Sequence, residues 1–430
     1  MKQRFVRARG LHFPSPIFSE FDYFDDAILH IDNGYVKRFD AAQLFLNDGL
    51  HEDACEHHPE MLLLPGLIDA HVHFPQVKII ASFGDQLLDW LQHYTFPEEA
   101  KFADEPYARA AAVEFVDLLL AHGTTTALTY ATSHRHSADV LFEAAYAKSM
   151  RLVAGKVMMD RNAPSDLIDS LATGKADSEY LIKKWHGRGR LGYAVTPRFA
   201  GTSTEQQLQS AADLAAAYPD IWVQTHLSEN LAELDWLRSL YRDFQDYFSL
   251  YERAGLATPR SVFGHCIHLS DNELARLAET GGIAAFCPSS NLFLGSGLFP
   301  LLAIRDKGIP IAIGTDVGAG TSLSMISTLG DAYRVCQLQS FSLDPLEAFY
   351  MATMGNARVL HLDDRIGNFC AGKEADFVLL NPSRNSQVAS RVNTCQQIRD
   401  ELFCYMILGD ERLIEQTSVS GHVQFQQEPV

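Results

Sequence analysis

Short apolar runs alternate with longer amphipathic stretches along most of the chain, from Pro65 onward. Each run has the length and β-branched content of a buried strand, and the stretch after it has the length and apolar spacing of a helix. Eight such runs occur, at 66–73, 124–130, 152–159, 191–199, 221–226, 261–267, 282–287 and 310–316. Eight strands that alternate with helices are typical of a (β/α)₈ barrel, so we predict an α/β fold of this class.

The two ends of the chain have a different pattern. Two alternating runs, 27–31 and 35–39, flank Asn33-Gly34, which is a strong hairpin signal. Near the other end, 375–380 resembles a strand and 411–425 a mixture of strand and turn. We therefore predict a small β-sandwich domain built from both terminal segments, residues 1–64 and 366–430, with the barrel spanning 65–365.

The helices between the runs are also recognisable. The stretch 107–122 carries apolar residues at helical spacing and stops at Gly123, and 346–360 is predicted to form the last helix of the barrel. A further helix is expected over 230–241.

Composition narrows the class of protein. Hydrophobic residues make up 47% of the 430 residues, which excludes a disordered chain. The formal charge of −19 argues against a nucleic acid or an anionic membrane as the main partner. Seven cysteines without a C-x-x-C pair suit a reducing compartment. No signal-peptide core or 18-residue apolar run is found, so the expected location is the cytoplasm, with no membrane partner.

Residues of the metal-binding type lie where the predicted barrel strands end. They are His71 and His73 on the first strand, His226 on the fifth, His265 on the sixth and Asp316 on the eighth. In this fold the carboxyl ends of the strands carry the chemistry, and residues i and i+2 share one face of a strand. Nitrogen and oxygen ligands suit Zn²⁺ or Fe²⁺.

Each of these residues alone also fits a purely structural role. A single histidine can be a hydrogen-bonded core residue, the aspartate can cap a loop, and the chain holds a second H-x-H triplet at His134–His136. The occurrence of all five residues at strand ends favours a metal site.

The segments that contain these residues resemble those of a known family. The segment 65–73 (PGLIDAHVH), together with the later histidines and Gly314-Thr315-Asp316, resembles the amidohydrolase superfamily. Within it, the chain is similar to the branch that deaminates guanine. The resemblance covers about residues 65–380 and rests on the segments HFPQ (73–76), WLQHYTFP (90–97), GTTT (123–126), KVMMDRNAP (156–164), TPRF (196–199), HLSEN (226–230), CPSSNLFLGSGLF (287–299) and GTDVGAGT (314–321).

The resemblance implies a hydrolytic deamination of guanine to xanthine and ammonia, as part of purine catabolism. One Zn²⁺ per chain, or alternatively Fe²⁺, would be held by His71, His73, His226 and Asp316, and it would activate a water molecule. Asp316 is also expected to take the proton of this water, and His265 to hydrogen-bond the attacking oxygen.

Glu229 is assigned the third catalytic role. The resemblance implies that Glu229 shuttles a proton to N3 of guanine. The structural alternative is that Glu229 is a solvated N-cap of the following helix. The predicted contacts of the substrate are His73, Gln76, Arg198, Phe199, His226, Glu229 and Asp316. An amide reads a purine edge, an arginine donates to a carbonyl oxygen and an aromatic ring offers a stacking face. The alternative is that Arg198 forms a structural salt bridge and Phe199 belongs to the core.

The sequence leaves the function, the oligomeric state and the role of one segment open. Related single-metal aminohydrolases act on other aminated heterocycles such as pterins, cytosine or triazines. A catalytically silent scaffold on the same barrel is the alternative from another class of protein.

The number of metal ions is predicted from a lysine that is missing. Binuclear members of the superfamily use a carboxylated lysine at the end of strand 4. Here that end is 196–199 (TPRF), and Lys156 lies on strand 3, so a single metal ion is predicted. The resemblance suggests a homodimer. Trp90 and Phe96 belong either to a lid or to an oligomer contact.

Overall fold

The computed structural model describes residues 3–84 and 86–428. Among these residues, no helix combines the length and the apolarity that a membrane crossing requires. The described parts of the chain fall into two compact units. One contains the described residues of 3–69, 117–126 and 323–428, and the other contains those of 70–84, 86–116 and 127–322.

A near-closed barrel is formed by the eight predicted strand regions, which confirms the predicted fold class. Its strands pair in the order β13-β12-β11-β10-β9-β7-β6-β5, and β8 continues β7 and pairs with β9. The bounds are β5 (Leu67–His73), β6 (Thr124–Tyr130), β7 (Arg151–Gly155), β8 (Val157–Met158), β9 (Leu191–Pro197), β10 (Trp222–Leu227), β11 (Ser261–His265), β12 (Ile283–Phe286) and β13 (Ile311–Ile313).

The barrel strands are buried along their length, as expected of strands covered on both faces. Every residue of β5, β6, β9, β10 and β11 is buried. After the last strand, the N–H of Asp316 donates to the carbonyl of His71 at 2.8 Å, and the N–H of His73 donates to that of Val317 at 2.8 Å. These two bonds join the end of the eighth strand region to the end of the first.

The second sheet contains strands from both ends of the chain, as predicted for the small β domain. Its order is β16-β15-β14-β4-β1-β2-β3, with β1 parallel to β4 and antiparallel to β2. The predicted hairpin joins β2 to β3, with Asn33 and Gly34 at positive φ, as a two-residue turn requires. The bounds are β1 (Arg4–His12), β2 (Asp22–Asp32), β3 (Tyr35–Ala41), β4 (Glu56–Pro65), β14 (Phe377–Leu380), β15 (Ile414–Val419) and β16 (His422–Gln426). The domain boundaries proposed at 64/65 and 365/366 remain a proposal.

Helices follow most of the barrel strands along the chain. The stretch predicted over 107–122 is α4, and Gly123 ends it at a φ of 83°. Two π-helical turns, Leu91–Thr95 and Met351–Gly355, connect α2 to α3 and α14 to α15. The helices are α1 (Ala42–Asn47), α2 (Leu87–Trp90), α3 (Phe96–Ala100), α4 (Glu105–Ala121), α5 (Arg135–Ala147), α6 (Leu171–Trp185), α7 (Glu205–Ala217), α8 (Leu231–Leu240), α9 (Tyr247–Ala254), α10 (Asp271–Thr280), α11 (Pro288–Phe293), α12 (Leu301–Asp306), α13 (Met325–Gln337), α14 (Pro345–Tyr350), α15 (Asn356–Val359), α16 (Ser386–Val392) and α17 (Ile398–Leu408).

Candidate metal centre and active site

Four of the residues singled out from the sequence converge at the carboxyl ends of the barrel strands. One ligand atom from each of His71, His73, His226 and Asp316 lies within 4.8 Å of the others. Oδ1 of Asp316 is 3.2 Å from Nε2 of His71 and 3.3 Å from Nε2 of His73. The Nε2 atoms of His73 and His226 are 3.2 Å apart. The four side chains thus present three nitrogens and one carboxylate to a single point.

The protonation states of these groups fit a divalent cation. Burial lowers the pKa of His73 to about 4, and burial together with the neighbouring histidines holds the pKa of His226 well below its usual value. Burial alone would raise the pKa of Asp316, but His71 and His73 hold it well below the usual range. Neutral imidazoles and an ionised carboxylate are the forms that bind metal. Nδ1 of His226 lies 2.7 Å from the carbonyl oxygen of Arg198, and a hydrogen bond there orients Nε2 toward the other ligands.

Two glycines next to the candidate ligands make room for them. A Cβ on Gly264 would lie 2.6 Å from Cε1 of His71, and one on Gly314 would lie 2.6 Å from its backbone nitrogen. His265, directly after Gly264, and Asp316, two residues after Gly314, both have positive φ, 71° and 52°. Such conformations cost about 1–3 kcal/mol each and cluster at functional sites.

His265 and Glu229 form a second group beside the candidate ligands. Nε2 of His265 is 3.2 Å from Oε2 of Glu229 and 3.8 Å from Oδ2 of Asp316. The other ring nitrogen is 2.9 Å from Oδ1 of Asn291, and the hydroxyl of Ser296 donates to Oε1 of Glu229 at 3.3 Å. Burial, reinforced by the charge of Asp316, raises the pKa of Glu229 well above its usual value. Burial therefore favours the protonated form of this carboxyl group.

The structural alternative for Glu229 does not hold. The N-cap of α8 is Asn230, whose side chain accepts from the N–H of Ala232, and Glu229 is only 4% exposed. The helix predicted over 230–241 is confirmed, with its cap one residue later than the alternative required.

Glu233 is a buried carboxyl group that sequence analysis did not assign to the site. One of its oxygens accepts from the N–H groups of Glu229 and Asn230 at 3.0 and 3.3 Å, and the other accepts from the hydroxyl of Tyr247 at 2.8 Å. Burial and the charge of Glu229 raise the pKa of Glu233 to about 7. The S/T/D/N-x-x-E spacing of Asn230 and Glu233 is the signal that could have located it, since it marks a capping box.

The residues predicted to contact the substrate all line one cavity, which His73, His226 and Asp316 of the candidate ligands also line. This cavity has a volume of about 430 Å³. Both alternatives for Arg198 apply at once, because it lines this cavity and also forms a buried salt bridge with Glu99. Phe199 is 5% exposed and lines the cavity as well. The lining residues are His73, Gln76, Leu87, Trp90, Leu91, Arg198, Phe199, His226, Glu229, Glu233, His265, Leu294, Asp316 and Ala319.

Lys156 and two further histidines have structural partners. Lys156 is fully buried, forms an ion pair with Asp169 and donates to the carbonyl of Val157. His134 lies 3.1 Å from the hydroxyl of Thr132, and Nε2 of His268 lies 2.8 Å from the carbonyl of Ser296. None of the three lines the cavity with the candidate ligands. The segment with Trp90 and Phe96 contributes a wall of that cavity through Leu87, Trp90 and Leu91.

Comparison with known proteins extends these observations. A model of the amidohydrolase family matches residues 62–409. The guanine deaminase of Escherichia coli (strain K12) is 44% identical over 422 residues, which cover 97% of this chain and 95% of that protein. A solved structure of E. coli guanine deaminase matches with a TM-score of 0.96 at 43% identity, over 99% of this chain and 100% of that one. A crystal structure of guanine deaminase from C. acetobutylicum with bound guanine in its active site has a TM-score of 0.90 at 27% identity, over 99% and 100% of the two chains.

Proposed function

Because the chain belongs to the guanine deaminases of the amidohydrolase family, we propose that it converts guanine and water to xanthine and ammonia with the residues described above. The observation that carries this assignment is the convergence of three histidines and an aspartate beside the cavity that Glu229, Gln76 and Arg198 line. Metal ligands, proton carriers and donors for a purine edge are thereby present in one place.

His71, His73, His226 and Asp316 would hold one divalent cation, with Zn²⁺ as our proposal and Fe²⁺ as the alternative. When bound, such an ion lowers the pKa of a coordinated water to near 7 and so supplies a nucleophile. Three nitrogens and one carboxylate suit zinc, which also leaves a position for water in catalytic sites. Lys156 is held in an ion pair with Asp169, which supports the proposal of a single ion per chain.

The chain's own carboxylates and His265 would handle the protons. Asp316 accepts a proton of the attacking water, and His265 hydrogen-bonds the oxygen as it adds to C2 of guanine. Glu229 delivers a proton to the neighbouring N3, so that C2 becomes tetrahedral without a charge building up on the ring. Asp316 then returns its proton to the 2-amino group, the hydroxyl proton on C2 passes to Glu229, and the C2–N bond breaks as the C2=O bond forms. Ammonia and xanthine leave, and both carboxyl groups have regained their initial protonation states.

Recognition of guanine would rest on three other residues that line the cavity, Gln76, Arg198 and Phe199. Arg198 would donate to the 6-carbonyl oxygen, a contact that suits a guanidinium group. Gln76 can both donate to and accept from the purine edge through its amide. Phe199 offers an apolar wall or a stacking face to the ring.

We further propose that the protein acts in the cytoplasm as a homodimer. The location is supported by the cysteines, since the seven of them include no C-x-x-C pair. The dimer rests on resemblance to the family, and the mass in solution measured by light scattering tests it.

The test of the proposed function is a metal-dependent assay with the purified protein. Guanine is added, and xanthine and ammonia are followed before chelation, after chelation and after zinc is restored. The proposal expects equal amounts of both products, loss of turnover on chelation and recovery with zinc. Bound metal without turnover of guanine would refute the substrate and redirect the search to pterins, cytosine and triazines. Absence of both metal and turnover would favour a silent scaffold.

A further inference from the structure

Glu99 is a fully buried carboxylate that binds both of the polar residues proposed to recognise guanine. It lies in α3, in the segment between β5 and α4, and its exposed fraction is 0%. Nη1 of Arg198 donates to its two oxygens at 2.8 and 2.6 Å, and Nε2 of Gln76 donates to Oε1 at 3.1 Å. One carboxylate therefore holds two cavity-lining side chains.

These bonds fix the direction of both side chains. Oε1 of Gln76 accepts from the N–H of Gly318 at 3.1 Å, so its amide is anchored at both ends and cannot flip. Arg198 is also packed beside Phe96, with its guanidinium carbon 5.4 Å from the ring centre. Phe96 and Glu99 are three residues apart on one helix, and they constrain Arg198 from the same element.

Stability alone does not explain a buried ion pair of this kind. Removing two charges from water costs several kcal/mol per ion, and apolar replacements of buried pairs are often neutral or stabilising. Glu99 itself is not among the residues that line the cavity, so it acts on a bound molecule only through its partners. The pair instead holds Nη1 of Arg198 against Glu99 while Arg198 lines the cavity.

We propose that Glu99 is a positioning residue that sets the specificity of this site for a heterocycle with a carbonyl group opposite Arg198. The inference rests on the proposed function, since it takes the 6-carbonyl oxygen of guanine as the partner of Arg198. By aiming Arg198 and fixing the orientation of the Gln76 amide, Glu99 favours guanine over rings without that oxygen.

The test compares guanine with 2-aminopurine, which keeps the amino group at C2 and lacks the 6-carbonyl oxygen. In Glu99→Gln we expect KM for guanine to rise about 10- to 100-fold, the cost of weakening hydrogen bonds to a charged group. The kcat for guanine is expected to stay within about threefold of wild type, and kcat/KM for 2-aminopurine is expected to fall less than that for guanine, because 2-aminopurine lacks the oxygen that Arg198 would contact. In Arg198→Ala, the further change Glu99→Gln is expected to change the preference for guanine less than it does in the wild type, because the part of its effect that acts through Arg198 is already lost.

Glu98 provides a matched control in the same helix. It is 5% exposed and bonds to Lys101 and Tyr107, so Glu98→Gln removes the same charge one residue away from the recognition contacts. We expect this variant to keep the wild-type preference for guanine. If Glu99→Gln folds, binds metal and retains the wild-type ratio between the two substrates, or if both variants lower it equally, the inference is wrong. If the wild-type protein does not deaminate guanine at all, the proposed function fails instead.

Discussion

The two walls of the cavity are organised in different ways. On the proposed metal-binding wall, ligand atoms of His71, His73, His226 and Asp316 lie within 4.8 Å of one another, and all but His71 line the cavity. On the proposed recognition wall, Gln76 and Arg198 are held by Glu99, which is not among the lining residues. The proposed ligands lie at the ends of barrel strands or just after them, whereas Gln76 and Arg198 bond to a residue from a short helix.

This difference determines what a substitution on each wall should do. Loss of a group on the metal-binding wall removes chemistry, so the rate of every substrate should fall. Loss of a group on the recognition wall removes a contact with one part of the substrate, so the effect should depend on the substrate. Kinetic constants of variants on each wall therefore separate these two behaviours.

The largest effect is expected from Asp316→Asn. The change removes the only carboxylate among the four candidate ligands and also the proposed acceptor of the water's proton. We expect kcat/KM to fall at least about 10⁴-fold with guanine and with 2-aminopurine alike, and bound metal to decrease. Metal analysis and xanthine formation on the same sample check this. Retained activity in a variant that has lost its metal would contradict the proposed role of this wall.

Glu229→Gln should separate proton transfer from metal binding. Glu229 contacts His265 and Ser296 and is not one of the candidate ligands. We therefore expect the metal content to match that of the wild type, while kcat falls about 10²- to 10⁴-fold. Normal turnover in a protein that keeps its metal would refute the assignment of Glu229.

Arg198→Ala is expected to act mainly on KM. Loss of a charged donor to the 6-carbonyl oxygen should raise KM for guanine about 10- to 100-fold, as measured by initial rates of xanthine formation. An unchanged KM for guanine would refute the proposed contact between Arg198 and the carbonyl oxygen.

Lys156→Met is the matched control for that variant. It also removes a buried cation from an ion pair in the barrel, but Lys156 and Asp169 do not line the cavity. We expect it to lower Tm and to leave the KM for guanine of the folded protein unchanged.

The smallest effect concerns stability and pH. Burial raises the pKa of Glu233 to about 7, so the folded protein holds this proton more tightly than the unfolded chain does. The stability that this provides is present below the ordinary pKa near 4.5 and is lost as the pH rises through about 7, amounting to about 1–3 kcal/mol. The wild-type Tm minus that of Glu233→Gln should therefore be smaller at pH 8 than at pH 5. A difference that is independent of pH would show that Glu233 does not titrate in this way.

The metal-binding wall could be predicted from the sequence because parallel strands end at one edge of a barrel. Once the eight strand runs are recognised, His226 and Asp316 must approach His71, whatever their separation along the chain. The structure shows in addition that Gly264 and Gly314 leave the space that His71 occupies.

Glu99 could not be predicted in the same way. The segment that carries it consists of two short helices joined by a π-helical turn, so it has no sustained period that would assign a face to each residue. Two glutamates after a proline at the start of a helix are typical of a solvent-exposed first turn. Only the tertiary structure shows that Glu98 and Glu99 are both buried and that Glu99 alone contacts Arg198 and Gln76.

The central claim is that one metal ion, held by His71, His73, His226 and Asp316, is required for the deamination of guanine. The most direct test is to remove the metal by chelation and to titrate the protein with Zn²⁺ while xanthine formation is measured. Our account predicts that activity returns in proportion to added zinc and reaches its plateau at one equivalent per chain. Activity that survives complete removal of the metal, or a plateau at two equivalents, would contradict it.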